Sequence, residues 1–195
     1  MTDANGNSTH TVLKTVFLDR DGVLNEKMPE GHYVTRWEEF RPLPGVPEAV
    51  QRLNRAGVLV LVVSNQRGVA LGHYTVADVE SIHSEFQKLL NAAGARVDAF
   101  FFCPHDKHSC TCRKPGPGLF EQARARFPEI APETSIMIGD SLSDIEFGRR
   151  LGMGTVFIEG NAEHQKPGAA SAKELAQMCC RSLPEAVEAL LQGRA

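Results

Sequence analysis

Two groups of side chains in this sequence have types and spacing suited to chemistry. The first is acidic. Asp19 and Asp21 flank Arg20 just ahead of Gly22, and a distant carboxylate, Asp140, follows Gly139. If the fold brings Asp19, Asp21 and Asp140 together, they repel one another unless a hard cation sits among them. Mg2+ suits such a set, because it takes oxygen donors in an octahedron and shares them with waters and a substrate phosphate. The plainer alternative makes Asp19 and Asp21 loop residues and Asp140 a helix cap. A calcium loop of the helix–loop–helix kind does not fit, since Val23 and Leu24 stand where an oxygen ligand and the turn glycine belong.

The second group is soft. Cys103, His105, Cys110 and Cys112 fall within ten residues. Three thiols and an imidazole make the closed tetrahedron of structural zinc, with no vacancy for a reacting water. Zinc here would shape a loop and leave the chemistry to others. The alternative is three reduced thiols beside a solvated His105. His108 is a substitute ligand in principle, but it reads better as an exposed loop histidine.

The elements that must position these groups follow from hydrophobic period and from Gly and Pro punctuation. Strands are expected at 15–18, 58–63, 97–102, 135–138 and 155–158, with a short sixth at 179–180. Helices are expected at 47–56, 75–93, 119–127, 142–151 and 183–191, while 174–178 is ambiguous. Alternation of this kind predicts an α/β fold, a doubly wound parallel sheet with helices on both faces. Ligands of such sheets bind beyond the carboxyl ends of the strands. The first four strands run into Asp19–Gly22, Ser64-Asn65-Gln66, Cys103-Pro104-His105 and Gly139-Asp140-Ser141. Four reactive endings on one rim predict a site there. Tyr33, Trp37 and Tyr74 read as loop packing rather than as a platform for a substrate ring. Phe100, Phe101 and Phe102 read as strand core, and Cys179 and Cys180 as small buried apolar residues.

The chain has 195 residues, 42% hydrophobic and 23% charged, with a net charge of −3. That suits one domain of common size. We expect a flexible tail over 1–11 and a domain over 12–192 with the zinc loop at 103–112. Residues 26–44 and 66–74 are too few for a separate cap domain. Basic residues are dispersed, so no nucleic-acid footprint stands out. The longest apolar run, 58–63, is too short for a membrane, and the polar start has no leader pattern. Five cysteines, an odd number, argue for reduced thiols and a cytoplasmic location. A monomer acting on a small molecule is the expectation.

The stretch Val16-Phe17-Leu18-Asp19-Arg20-Asp21-Gly22-Val23-Leu24-Asn25 resembles the first motif of the haloacid dehalogenase-like phosphohydrolases. Ser64 resembles the second motif, Lys114 the third, and Gly139-Asp140-Ser141-Leu142-Ser143-Asp144 the fourth. The likeness spans about residues 12–191 and implies a Rossmann-like core. It also implies roles. Asp19 would attack phosphorus to form an aspartyl-phosphate, and Asp21 would serve as general acid and base. Mg2+ would be held by Asp19, Asp21 and Asp140, helped by the backbone carbonyl of Arg20. Ser64 would donate to a phosphoryl oxygen and Lys114 would add positive charge. Asp144 would hold Lys114 or a water on the metal rather than the metal itself.

Cys-Pro-His followed by Cys-Thr-Cys-Arg-Lys-Pro resembles the zinc-containing branch that holds heptose-bisphosphate and histidinol-phosphate phosphatases. Zinc would then pin Arg113 and Lys114 against the phosphate site. Three departures stand out from the heptose pattern. Ser64-Asn65-Gln66-Arg67-Gly68 replaces Thr-Asn-Gln-Ser-Gly, Ser141 replaces a common Lys, and the gap from His105 to Cys110 is short. Asn65, Gln66, Arg67 and Arg113 are the expected substrate contacts. The implied reaction is Mg2+-dependent release of the 7-phosphate from D-glycero-D-manno-heptose 1,7-bisphosphate or a related sugar phosphate. Arg67, Arg113 and Lys107 would suit its distal phosphate. The alternative, histidinol phosphate, would favour Glu26, Glu30 and Asp106 around its amine. A phospho-acceptor signalling domain and a zinc-stabilised binding module are the readings from other classes.

Overall fold

The computed structural model describes residues 12–160 and 167–192. The tail expected over 1–11 lies outside them. Six parallel strands, β1 (Thr15–Leu18), β2 (Leu59–Asn65), β3 (Ala99–Cys103), β4 (Ser135–Gly139), β5 (Gly154–Ile158) and β6 (Met178–Cys180), form one sheet. Its order is β3-β2-β1-β4-β5-β6. Helices α1 (Val46–Arg55), α2 (Val76–Ala92), α3 (Gly118–Arg126), α4 (Leu142–Leu151), α5 (Ala169–Leu175) and α6 (Leu183–Gln192) cover both faces. The chain reverses direction across the sheet between β1 and β4, where folds of this order open a ligand crevice.

The strands are apolar throughout because both faces are covered. Side chains alternate between the two layers. Val16 and Leu18 pack with Val50, Leu53, Phe86 and Val187 on one side. Phe17 packs with Leu61, Val63, Leu119, Phe120 and Phe147 on the other. Local signals set the helix ends. Thr75 and Asp78 form a reciprocal capping box at the start of α2, and Gly152, left-handed at φ 80°, ends α4.

Three boundaries differ from expectation. β2 runs on through Ser64 and Asn65, which pair with Phe102 and Cys103, so the ladder carries polar residues to the rim. β3 starts late because Asp98 turns its carboxylate onto the Val60 amide. The ambiguous stretch divides into the end of α5 and the short β6. Cys180 is buried, but Cys179 is exposed, against expectation, because alternation on this edge strand points it outward. Among the described residues no helix is long and apolar enough to cross a membrane.

One buried group sets an acid limit on this fold. His83 of α2 stacks on Phe100, with ring centroids 4.5 Å apart, and meets Phe102 edge-on. Its Nε2 has no hydrogen-bond partner among the described residues. Burial, then the nearby charge of Arg20, push its pKa down to about 3, against a smaller opposing pull from Asp21. A depressed histidine contributes its full stability above the unfolded pKa, near 6.5, and loses it as pH falls toward the folded value. The loss is about 1.4 kcal/mol per pH unit, so about 2 kcal/mol by pH 5. Urea midpoints at pH 7.5 and pH 5.0 check this against His83→Leu. The native chain should lose about 2 kcal/mol more than the variant over that interval, and equal losses would clear His83 of the effect.

Candidate active site

The site lies on the rim where β1, β2 and β4 end. Asp19 follows β1, and its amide donates to the Ile138 carbonyl at 2.9 Å, so the end of β4 fixes it directly. Asp140 follows β4, and Asp144 sits one turn into α4. Asp19, Asp140 and Asp144 are all buried, and each offers a carboxylate oxygen within 4.8 Å of the others. The loop after β1 crosses against Asp140 so closely that a Cβ on Gly22 would lie 2.2 Å from Oδ2. Gly22 also has φ +93°, so both space and backbone demand glycine there.

Lys114 is the hub of this cluster. Its buried ammonium lies 2.9 Å from Asp19 Oδ1 and 2.6 Å from Asp144 Oδ1, and it donates to the Val63 carbonyl at 2.6 Å. Burial works against the charged form. The charges of Asp144 and Asp19 overcome it and hold the pKa above the ordinary lysine value. Asp144 Oδ2 receives the amide and hydroxyl of Ser141, at 3.1 and 2.6 Å. Asp144 is thereby committed on both oxygens. A second cation, Lys27, closes on Asp140 from the loop after β1. Sequence reasoning missed it, since nothing in a lysine 113 positions from its partner marks the pairing.

Asp21 stands apart from the cluster. Its carboxylate takes a two-pronged contact from Arg20, with Nη2 3.0 Å from both oxygens. Asn25 Nδ2 adds a bond at 3.0 Å and Gln66 Nε2 one at 3.2 Å. Burial pushes its pKa up, but the charge of Arg20 and these bonds win and hold it below the usual carboxylate range. Asp21, expected beside Asp19 and Asp140 on a metal, spends its carboxylate on Arg20, Asn25 and Gln66 here. The third carboxylate near Asp19 and Asp140 is that of Asp144, held by Lys114 and Ser141. The Arg20 carbonyl accepts the amides of Val23, Leu24 and Asn25 and closes the turn.

The expected substrate contacts divide. Asn65 clamps the main chain of Lys114, accepting its amide at 3.0 Å and donating to its carbonyl at 3.1 Å. Gln66 is 1% exposed and spends its amide on Ser64, Asp21 and Tyr74. Arg67 and Arg113 line the cleft along with Asn65 and Gln66, and Arg67 is paired with Asp106. The cleft, about 680 Å3, is in the range of small-molecule sites. Asp19 and Lys114 form its floor, the segment from Lys27 to Val34 one wall, and Arg67, Lys107 and Arg113 the other. Tyr33 lines it too, stacked on His73 with centroids 5.2 Å apart. Trp37 packs on Phe40 instead.

Cys103, His105, Cys110 and Cys112 converge as a second cluster beside β3. Their sulfurs are 3.1 to 3.4 Å apart, and His105 Nδ1 is 3.2 Å from Cys112 Sγ. A zinc tetrahedron with Zn–S near 2.3 Å has edges of about 3.8 Å, so a slight expansion accommodates the ion. Burial, then the adjoining thiols, push the Cys112 thiol up. A dication is what lets three such sulfurs ionise together. His108 stays exposed, with φ 60°.

A HAD-hydrolase-like family model matches residues 111–186. A Mycobacterium tuberculosis protein named D-glycero-alpha-D-manno-heptose-1,7-bisphosphate 7-phosphatase is 42% identical over 137 residues, covering 70% of this chain and 72% of that one. The chain belongs to the haloacid dehalogenase-like phosphohydrolases. A Rhodopseudomonas palustris relative named for the beta anomer of the same bisphosphate is 39% identical over 152 residues, covering 74% of this phosphohydrolase and 82% of the relative. Among solved structures, the D,D-heptose 1,7-bisphosphate phosphatase of B. bronchiseptica, complexed with magnesium and phosphate, superposes with a TM-score of 0.79 at 30% identity. The match covers 92% of this phosphohydrolase and 98% of that chain. The chain is accordingly a hydrolase of phosphate monoesters.

Proposed function

We propose that this phosphohydrolase removes the 7-phosphate of D-glycero-D-manno-heptose 1,7-bisphosphate through an aspartyl-phosphate on Asp19. The observation that carries the mechanism is the buried Lys114, bound at once to Asp19 and Asp144. It holds the Asp19 carboxylate in one orientation and places a fixed positive charge beside the incoming phosphoryl group. Ser64, at the end of β2, faces the cleft as a hydroxyl donor for a phosphoryl oxygen. Asp21, held ionised by Arg20, is in the form that takes a proton from the water attacking the aspartyl-phosphate.

Asp19 and Asp140 fit Mg2+, because they offer only oxygen and stand together under a cleft open to phosphate. When bound, the ion supplies charge neutralisation between the carboxylates and the ester. Zinc fits the Cys103, His105, Cys110, Cys112 set and would fix the loop that carries Arg113 and Lys114 two residues farther on. Reduced thiols in that loop suit the cytoplasm. Among the described residues only three large apolar side chains are exposed, Val12, Leu71 and Val76, which favours a monomer.

The bisphosphate is favoured over histidinol phosphate by the walls of the cleft. Asp106, a candidate partner for an amine, is neutralised by Arg67. That leaves Lys107 and Arg113 against Glu30, an excess of positive charge suited to a second phosphate. The test is phosphate release, with Mg2+ present, from the 1,7-bisphosphate, histidinol phosphate and simple sugar phosphates. The bisphosphate should lead in kcat/KM by at least about tenfold. Histidinol phosphate in the lead would overturn the substrate. A long-lived phosphoprotein with no phosphate released would instead favour the signalling reading.

A further inference from the structure

Resting on the roles of Ser64 and Asp21 just given, we propose that Tyr74 is a positioning residue that sets the side-chain amide of Gln66, and through it the donor direction of Ser64. Tyr74 lies in the segment between β2 and α2. Its hydroxyl is 2.7 Å from Gln66 Oε1, and the Gln66 amide nitrogen is 2.7 Å from Ser64 Oγ and 3.2 Å from Asp21 Oδ2. Tyr74, Gln66 and Ser64 are each no more than 6% exposed.

Donor accounting fixes every proton in this chain. The Asp21 carboxylate only accepts, so the nitrogen end of Gln66 must face it. That nitrogen has two hydrogens, one for Asp21 and one for Ser64, and none is left for a substrate. Ser64 Oγ therefore accepts from Gln66, which leaves its own single hydrogen for the cleft. The oxygen end of Gln66 then needs a donor, and Tyr74 is that donor. Among the described residues, the Tyr74 hydroxyl is the one donor that reaches Gln66 Oε1, at 2.7 Å. Burial pushes the Tyr74 pKa up to about 12, against a smaller pull from Arg20, so the hydroxyl stays protonated across the working range of the enzyme. Gly68 leaves room for this approach. A Cβ there would lie 2.1 Å from the Tyr74 ring.

If the amide turned over, its oxygen would oppose the Asp21 carboxylate and would take the Ser64 hydrogen away from the phosphoryl group. Gln66 thus acts on the reaction without touching the substrate, and Tyr74 acts on Gln66. Both of the groups it positions touch the reacting phosphate or its water, so the cost of disorder falls on turnover.

Tyr74→Phe removes one oxygen and keeps the ring, so the fold is retained. With Mg2+-loaded enzyme, kcat should fall about tenfold while KM stays within about twofold, on the 1,7-bisphosphate and on p-nitrophenyl phosphate alike. A loss confined to KM, or to the sugar substrate, would mean that Tyr74 contacts the sugar and would overturn the proposal. Unchanged kcat on both esters would overturn it as well. A second readout does not need turnover. In 15N–1H spectra the two side-chain amide protons of Gln66 should exchange with solvent about tenfold faster in the variant. Equal exchange would overturn the hydrogen-bond chain even if the native enzyme hydrolysed neither ester, the outcome that would instead defeat the phosphatase reading.

Discussion

Asp19→Asn should lower phosphate release by about 10^4-fold or more while the chain still folds. The amide is nearly the size of the carboxylate but is a far poorer nucleophile toward phosphorus. Structure should survive because Lys114 keeps two of its partners, Asp144 Oδ1 at 2.6 Å and the Val63 carbonyl at 2.6 Å. The asparagine oxygen can still accept from the lysine. Removing one of three crowded carboxylates also relieves repulsion, so thermal midpoints should match the native chain within a few degrees. Phosphate release from the bisphosphate at high enzyme concentration, with circular dichroism melts alongside, measures both halves. Turnover within about tenfold of native would exclude Asp19 as the attacking group.

Lys114→Met attacks the same site from its positive side and should harm both stability and turnover. The methionine fills the volume but leaves Asp19 and Asp144 as buried carboxylates facing each other without their shared cation. Breaking a buried ion pair from one side costs about 3–5 kcal/mol. One carboxylate can take up a proton to escape this, so the deficit against native should shrink as pH falls from 7.5 toward 5. Urea titrations at those two values give the comparison. A deficit that stays below about 1 kcal/mol at pH 7.5 would mean that Lys114 does not balance the cluster. Turnover should fall by a further factor of about 10^2–10^3 through loss of the fixed charge beside the phosphoryl group.

The sequence made the frame of this site readable because strand ends are marked by abrupt changes of polarity. Leu18 to Asp19 and Gly139 to Asp140 are such changes, and adjacent strands must then bring Asp19 and Asp140 together. The Cys103–Cys112 cluster was readable for a different reason, since its ligands are close in the chain. What sequence leaves open is which partner a polar group takes once it is buried. Nothing in the sequence names a partner for Arg20, whose guanidinium is 2% exposed and spends itself on Asp21. Asn65 and Gln66 read as substrate contacts because they follow a strand into a cleft. What the sequence does not show is that Asn65 also holds the Lys114 main chain and Gln66 also binds Ser64, Asp21 and Tyr74. Lys27 carries no periodic or spacing signal at all, and only the path of the loop after β1 delivers it to Asp140.

The β1–β4 pairing sets Thr15 opposite Ser135 and Leu18 opposite Ile138. Asp19 lies one residue and Asp140 two residues beyond that ladder. A slip of one position along it would shift one of them by about 3.3 Å and invert the faces of its strand. Misregistered molecules would therefore be silent rather than weak. During refolding, recovered turnover would count correctly aligned chains one by one, where circular dichroism would count any chain with a sheet.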